Sequence, residues 1–351
     1  MTSVDKRKSH SIEWLFFASS IAVVLLAGCT REQAPVTLSG ATMGTTWQVT
    51  YTPQGVSATP RELQSAIEDE LEAVNAAMST YRIDAEITAF NALGANQPMA
   101  VSQGFAAVMA AALSIGEHSK GAYDVTVGPL VRLWGFGPDG AVHDKPDDAQ
   151  LQEALATVGQ GALSLTAAGE LVKAEPREVD LSSIAKGYGI DRLAETIASS
   201  GVSNYLVEIG GELRVAGNSP RGDAWRLAIE QPDAGRRRAA AAAVSMNEGA
   251  IATSGDYRNY FEVDGVRYSH TIDPRTGYPV RHDLASVTVI HSSAMMADGW
   301  ATALLALGMP DAMNVANAQG LAVYLIQQQD DQWVTSYSEA FNAYLAPLGD
   351  Q

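Results

Sequence analysis

Apolar residues recur at Leu63, Ile67, Leu71, Val74 and Met78, the spacing of one face of a helix. Thr59-Pro60-Arg61-Glu62 precedes them with a capping hydroxyl, a proline at the first helical position and a glutamate three residues after the cap. A helix is therefore predicted to open at Pro60. Gln103–His118 reads as a second helix, alanine-rich and largely buried, and Pro146–Thr157 as an amphipathic one. Ser182–Ser200 reads as helical with Gly201 as its cap, and Ser293–Leu307 as a helix stopped by Gly308-Met309-Pro310. Strands are predicted at Thr46–Tyr51, Tyr205–Ile209, Glu212–Ala216, Trp225–Glu230, Leu284–His291 and Leu321–Gln327, the last followed by a hairpin-like tail. Tyr260–Val263 and Val266–Ser269 flank Asp264-Gly265, a strong short hairpin signal. Val127–Gly140 is too rich in glycine for a regular element and reads as a structured loop. Gln231–Ala243, with Arg236-Arg237-Arg238 and its alanines, reads as an exposed excursion.

Interleaved strands and helices, with neighbouring strands often joined by hairpins, predict an α+β fold of mixed or antiparallel sheets with covering helices. A doubly wound parallel sheet fits less well, and there is no Gly-x-Gly-x-x-Gly after a strand, no Walker sequence and no Gly-x-Ser-x-Gly elbow. Composition narrows the function further. With 46% hydrophobic and 18% charged residues the chain can bury a core, and its 351 residues allow two or three folding units. Forty acidic against 23 basic residues give a net charge of −17, and no basic patch is found, so no nucleic-acid partner is expected. The single cysteine excludes an internal disulfide and cannot alone build a zinc or iron–sulfur site.

That cysteine closes a leader-like segment. Lys6, Arg7 and Lys8 precede an apolar run from Trp14 to Ala27, shorter than the ~20 residues of a membrane span and suited to a signal peptide. The run ends Leu26-Ala27-Gly28-Cys29, which resembles the bacterial lipobox, in which the thiol is lipidated and the chain cut just before it. The expected organisation is a lipoprotein signal peptide at 1–28, a lipid-anchored tether at 29–40 and a folded body at 41–351. The body is expected in the bacterial cell envelope, on the periplasmic or extracytoplasmic side. Thr30 follows the cysteine where Asp would favour inner-membrane retention, so the choice of membrane stays open.

Four segments concentrate reactive side chains. In Ala297-Asp298-Gly299-Trp300-Ala301-Thr302 the Asp298 carboxylate and Thr302 hydroxyl share a helix face, an oxygen set suited to Mg²⁺. By spacing alone, the commoner use of such a pair is a dipole-stabilising Asp and a Thr bonded back to a carbonyl. Asp180-Leu181-Ser182-Ser183-Ile184-Ala185-Lys186-Gly187 is either an anion cradle at a helix start or a plain cap with an exposed lysine. His270, in Tyr268–Gly277, ends a hairpin strand, where it can act as a general base or serve as a structural residue. The turns Val207–Glu212 and Ala252–Tyr257 carry glycines that permit close approach to a ligand or simply a tight turn.

In order along the chain, these segments resemble the ApbE family, the FAD:protein FMN transferases. The resemblance runs from the lipobox through Met43-Gly44-Thr45, Met78-Ser79-Thr80-Tyr81, Tyr123–Leu130, Leu133-Trp134-Gly135-Phe136-Gly137 and Asp180–Gly187. It continues through Tyr205–Glu212, Ser254-Gly255-Asp256-Tyr257-Arg258, Ser269–Gly277 and Ala297–Thr302. It implies a T-fold-like body of two intertwined subdomains binding FAD in a cleft. Met43, Tyr81, Ala122, Tyr123, Asp124, Asp180, Lys186 and Ile272 fall at its FAD-contact positions. Ser183, Asp298, Ala301 (through its carbonyl) and Thr302 fall at its Mg²⁺ positions, and His270 at its base. Tyr123 and Val125 stand where many relatives carry Phe and Pro.

The implied reaction is Mg²⁺-dependent transfer of FMN from FAD to a Thr or Ser hydroxyl of an acceptor protein, a membrane redox subunit, with release of AMP. Two alternatives use the same site: an FAD pyrophosphatase, in which water replaces the hydroxyl, and a non-catalytic lipoprotein that stores FAD. A purely structural envelope protein would leave the metal and base residues without a reason.

Overall fold

Trp47, Val49 and Tyr51 alternate with polar residues along Thr45–Tyr51 and put one face of that strand into the core. The strand belongs to a long antiparallel sheet in this computed structural model, which describes residues 34–137, 145–232, 239–257, 259–330 and 332–348. The sheet's strands are β1 (Val36–Thr42), β2 (Thr45–Tyr51), β3 (Tyr205–Ile209), β4 (Glu212–Ala216), β5 (Glu248–Gly255), β6 (Leu284–His291), β7 (Ala322–Gln329) and β8 (Gln332–Tyr337). Their order across the sheet is their order along the chain, and every neighbouring pair is antiparallel. Residues Pro35–Gln351 form one compact unit by their contacts.

Four long helices are inserted into this meander: α1 (Pro60–Met78), α2 (Gln103–His118), α3 (Ala185–Ser199) and α4 (Ala294–Leu307). α1 opens on the expected capping box, with the Thr59 hydroxyl accepting from Glu62 N–H and the Glu62 carboxylate from Thr59 N–H, and buries the five apolar residues of its stripe. The helices cover one face of the sheet. α4 packs Ala297, Ala301 and Leu304 on Ala252 of β5 and on Val287 and Val289 of β6. The other face carries Ile251, Ile290, Tyr324 and Ile326 and is covered by the hairpin Trp225–Glu230/Ala240–Met246 and by Phe341. β6 is consequently buried on both sides, which is why Leu284–His291 reads as a nearly unbroken apolar run.

The antiparallel α+β architecture agrees with the sequence reading, and several local assignments are corrected. Val36–Thr42, partly within the expected tether, is an edge strand paired with β2; its mix of small and polar residues hides the pattern. Within Val127–Gly140 a short helix, Gly128–Leu133, forms where Pro129 sits in its first turn and Leu130 is buried. The alanines of the expected excursion belong to the strand Ala240–Met246, shielded by Trp225–Glu230. α3 starts at Ala185 rather than Ser182, leaving Ser182–Ile184 in a turn. β5 has no sequence signal, because its buried run Gly249–Ala252 is mostly glycine and alanine, and the first half of the expected turn Ala252–Tyr257 belongs to this strand. Cys29, Arg236-Arg237-Arg238 and Arg258 lie outside the described residues.

The meander also decides where chemistry can gather. Because successive strands reverse direction, the β1–β2 turn, the β3–β4 turn, the β5–β6 connection and the β7–β8 turn all fall at one end of the sheet. That end therefore collects Met43, Glu208–Glu212, Ser254–Tyr257 and the hairpin bearing His270.

Candidate active site

The start of α3 meets α4 at this site. Gly187 allows the contact: a Cβ there would lie 2.3 Å from the Ala294 carbonyl oxygen and 2.8 Å from Asp298 Cβ. Its N–H donates to Asp298 Oδ2 at 3.0 Å, tying the carboxylate to the turn that carries Ser183 and Lys186. One turn further along α3, Asp191 is ion-paired with Arg214. It accepts from Ser293 Oγ at 2.6 Å, from Ala294 N–H at 2.9 Å and from Met295 N–H at 3.1 Å. Asp191 therefore caps α4 from outside and fixes the helix that presents Asp298.

Asp298 is buried at 4% exposure, and burial pushes its pKa up to about 7. Lys186 and the Gly187 N–H oppose that shift, while Glu212 adds to it. Lys186 Nζ lies 4.0 Å from Asp298 Oδ1 and 2.5 Å from Glu212 Oε1. Burial pulls the lysine down, but the Asp298 and Glu212 charges outweigh it and its pKa is raised, so the ammonium stays charged. Two buried carboxylates thus share one cation.

Hydroxyls surround this triad. Ser183 Oγ donates to Tyr123 Oη at 2.9 Å, and burial raises the Tyr123 phenol well above its usual range, so it stays protonated. Thr302 Oγ1 lies 3.2 Å from Ser254 Oγ at the end of β5. Asp298, the Ala301 carbonyl and Thr302 lie within one turn of α4, and Ser183 lies in the turn before α3 that Gly187 ties to Asp298; together they offer only oxygen donors, with one carboxylate, a donor chemistry suited to Mg²⁺. Ala301 sits inside α4, where a carbonyl accepts one helical N–H and retains a second lone pair. Among the described residues no three His, Cys, Asp or Glu side chains cluster as a metal site.

Lys186 lines a cavity of about 680 Å³ together with Met43, Tyr81 and Asp180. Glu212 lines a neighbouring one of about 520 Å³ with Thr45, Gly211 and Tyr257, so the Lys186–Glu212 pair joins the two walls. Met43 reaches its cavity from a turn with φ of +48° followed by Gly44 at +72°, the left-handed pair of a tight hairpin. Tyr81 is 73% exposed, an aromatic ring at the rim. Asp180 Oδ1 accepts from Ser182 N–H at 2.8 Å and so shapes the turn before α3.

His270 follows the hairpin Tyr260–Val263/Val266–Ser269. Its Nδ1 lies 3.1 Å from the Asn259 carbonyl, which can only accept, so the neutral ring carries its proton there and leaves Nε2 free. Burial pulls its pKa below the ordinary 6.5, and the Lys186 charge pulls the same way against the Asn259 bond. Phe136 meets the ring edge-on, and Trp134 stacks on Tyr268 while its Nε1 donates to the Gly277 carbonyl at 2.8 Å, bracing the hairpin.

Not every sequence-predicted residue faces the cavities. Ala122 is buried against Val280 and Ala306, and Ile272 against Leu130, Trp134 and Leu151. Both Asp124 oxygens serve the loop, one accepting from Thr126 and the other from Gln160 N–H at 2.8 Å. Conversely, Glu212, Ser254 and Asp191 join the site network without having been singled out as ligands. The glycine-bearing segments Val207–Glu212 and Ala252–Tyr257 are the signal for Glu212 and Ser254; Asp191 is placed by tertiary contacts alone.

Comparison with known proteins points one way. The pattern of the ApbE family matches residues 43–325. The chain is 46% identical over 329 residues to the FAD:protein FMN transferase of Haemophilus influenzae, covering 92% of this chain and 95% of that protein. The structure is similar to the flavin transferase ApbE from Vibrio cholerae, with a TM-score of 0.83 and 44% identity, over 89% of this chain and 99% of that one. It is also similar to the Pseudomonas stutzeri flavinyl transferase ApbE in its apo form, with a TM-score of 0.82 and 38% identity, over 90% and 98%.

Proposed function

The chain belongs to the ApbE family, and from that premise we propose that it is an FAD:protein FMN transferase acting through the Lys186–Asp298–His270 site. The observation that carries the site assignment is the junction of α3 and α4, where Lys186, Asp298 and Glu212 meet between two cavities.

In this reading FAD occupies the cleft, with Met43, Tyr81, Asp180 and Lys186 along its wall. The oxygen of an acceptor Thr or Ser attacks the phosphorus on the FMN side, a P–O bond to AMP breaks, and AMP leaves. His270 Nε2 takes the hydroxyl proton, Nδ1 being held by Asn259. Lys186 supplies a fixed positive charge in a protein whose net charge of −17 disfavours a polyphosphate. Ser183, Asp298, the Ala301 carbonyl and Thr302 would hold a Mg²⁺, which supplies neutralisation of charge on the pyrophosphate.

The test is incubation of the purified protein with FAD, Mg²⁺ and an acceptor domain, read as flavin fluorescence on the denatured acceptor. Covalent fluorescence is expected; free FMN and AMP without it would make the enzyme a hydrolase. The basic, apolar and Leu26-Ala27-Gly28-Cys29 segments support anchoring of this body through a lipidated Cys29 on the periplasmic side. Labelled palmitate in wild type and its absence in Cys29→Ser would test that part.

A further inference from the structure

Glu212 owes its place to a turn that takes up a different glutamate. Gly210 and Gly211 hold φ of +63° and +106°, and the Gly211 N–H donates to Glu208 Oε1 at 2.7 Å, closing the β3–β4 hairpin. The Ile209–Glu212 register then aims Glu212 back toward α3. Its side chain is only 8% exposed, Oε1 accepts from Lys186 at 2.5 Å, and Oε2 is buried with no hydrogen-bond partner. A buried carboxylate so poorly satisfied is costly to keep, and closing the turn does not require it.

Lys186 has two carboxylates within reach and sits on Glu212, at 2.5 Å from Oε1, leaving Asp298 Oδ1 4.0 Å away. We propose that Glu212 is a positioning residue that draws the Lys186 ammonium off Asp298 and so keeps Asp298 Oδ1 open to a divalent cation. With Glu212 present, the ammonium is held 2.5 Å from the glutamate and 4.0 Å from Asp298 Oδ1. Without it, Lys186 closes on Asp298, and a cation must displace an ammonium before it binds. The proposal rests on the reading of Asp298 as a metal ligand.

The experiment is a titration of the full protein with Mn²⁺ alone, the free ion followed by electron paramagnetic resonance, for wild type, Glu212→Gln, Lys186→Met, the double variant and Asp298→Asn. Glu212→Gln and Lys186→Met nearly keep side-chain size, and circular dichroism checks the fold. Glu212→Gln is expected to weaken Mn²⁺ binding about tenfold in the wild-type background and less than about twofold in the Lys186→Met background. Equal losses in both backgrounds would show that Glu212 acts only as a distant negative charge, and would overturn the proposal while leaving the metal reading intact. A wild type that takes up no Mn²⁺, or an Asp298→Asn protein that takes up as much as wild type, would overturn the metal reading and this role with it.

Discussion

Gly187 donates its N–H to Asp298 across 3.0 Å at the one place where α3 and α4 come too close for a side chain. Gly187→Ala would force its Cβ against the Ala294 carbonyl, an immovable backbone group, so the helices must part. The expected loss is ~1–3 kcal/mol of stability for overpacking a tight contact. Transferase activity should fall further than stability does, because Asp298 moves with α4. Urea unfolding and turnover measured on the same preparation check both; a variant matching wild type in each would show that the close crossing is dispensable.

Asp298 trades stability for function. Its folded pKa, pushed up from 3.8 to about 7 by burial, means that the native protein binds a proton the unfolded chain has already lost. Without metal, stability should therefore fall as pH rises from about 4 to 7. Asp298→Asn should flatten that slope and melt higher than wild type at neutral pH, while turnover with Mg²⁺ is abolished. Thermal melts across pH in a chelator, paired with the fluorescence assay, decide it. Unchanged activity would remove Asp298 from the reaction.

How much of this was readable beforehand depended on whether a residue's role was local. The α1 cap and stripe, the Asp264-Gly265 hairpin and β6 are set by near neighbours in the chain and were legible. The candidate residues Lys186, His270 and Asp298 were legible only as parts of motifs in a familiar order, since by spacing each has an ordinary structural use. Glu212 shows in the sequence only as the end of a glycine turn, and Asp191 not at all, because their partners lie on other elements: Lys186 is 26 residues from Glu212, and Ala294 is 103 from Asp191. β5 stayed hidden because Gly249, Ala250, Ala252 and Gly255 give it neither the alternation of a half-buried strand nor the β-branched run that marks β6.

Asp191 offers a test of the scaffold apart from the chemistry. It accepts from two backbone N–H groups and a hydroxyl at the start of α4 while pairing with Arg214. Asp191→Ala leaves those donors and a half-buried guanidinium unsatisfied, which should cost roughly 3–5 kcal/mol, the scale of a broken buried pair. Asp191→Asn keeps an acceptor for the helix and should recover part of the loss. Chemical denaturation of both variants gives the difference, and equal destabilisation would mean that the ion pair, rather than the cap, carries the energy.

His270 can be separated from the binding machinery by pH. With Nδ1 committed to Asn259 and its pKa held below 6.5 by burial and by Lys186, the ring is neutral at pH 7 with Nε2 ready to accept a proton. A lowered base pKa keeps the active form populated to lower pH, so kcat/KM should hold steady down to about pH 6.5 and fall only on further acidification. Lys186→Met removes the nearby charge and should move that acid limb upward. His270→Ala should eliminate the limb, slow transfer by ~10²–10⁴-fold and leave FAD affinity near wild type. An acid limb surviving in His270→Ala would assign the proton to another group, and lost FAD binding would make His270 part of the cleft wall instead of the base.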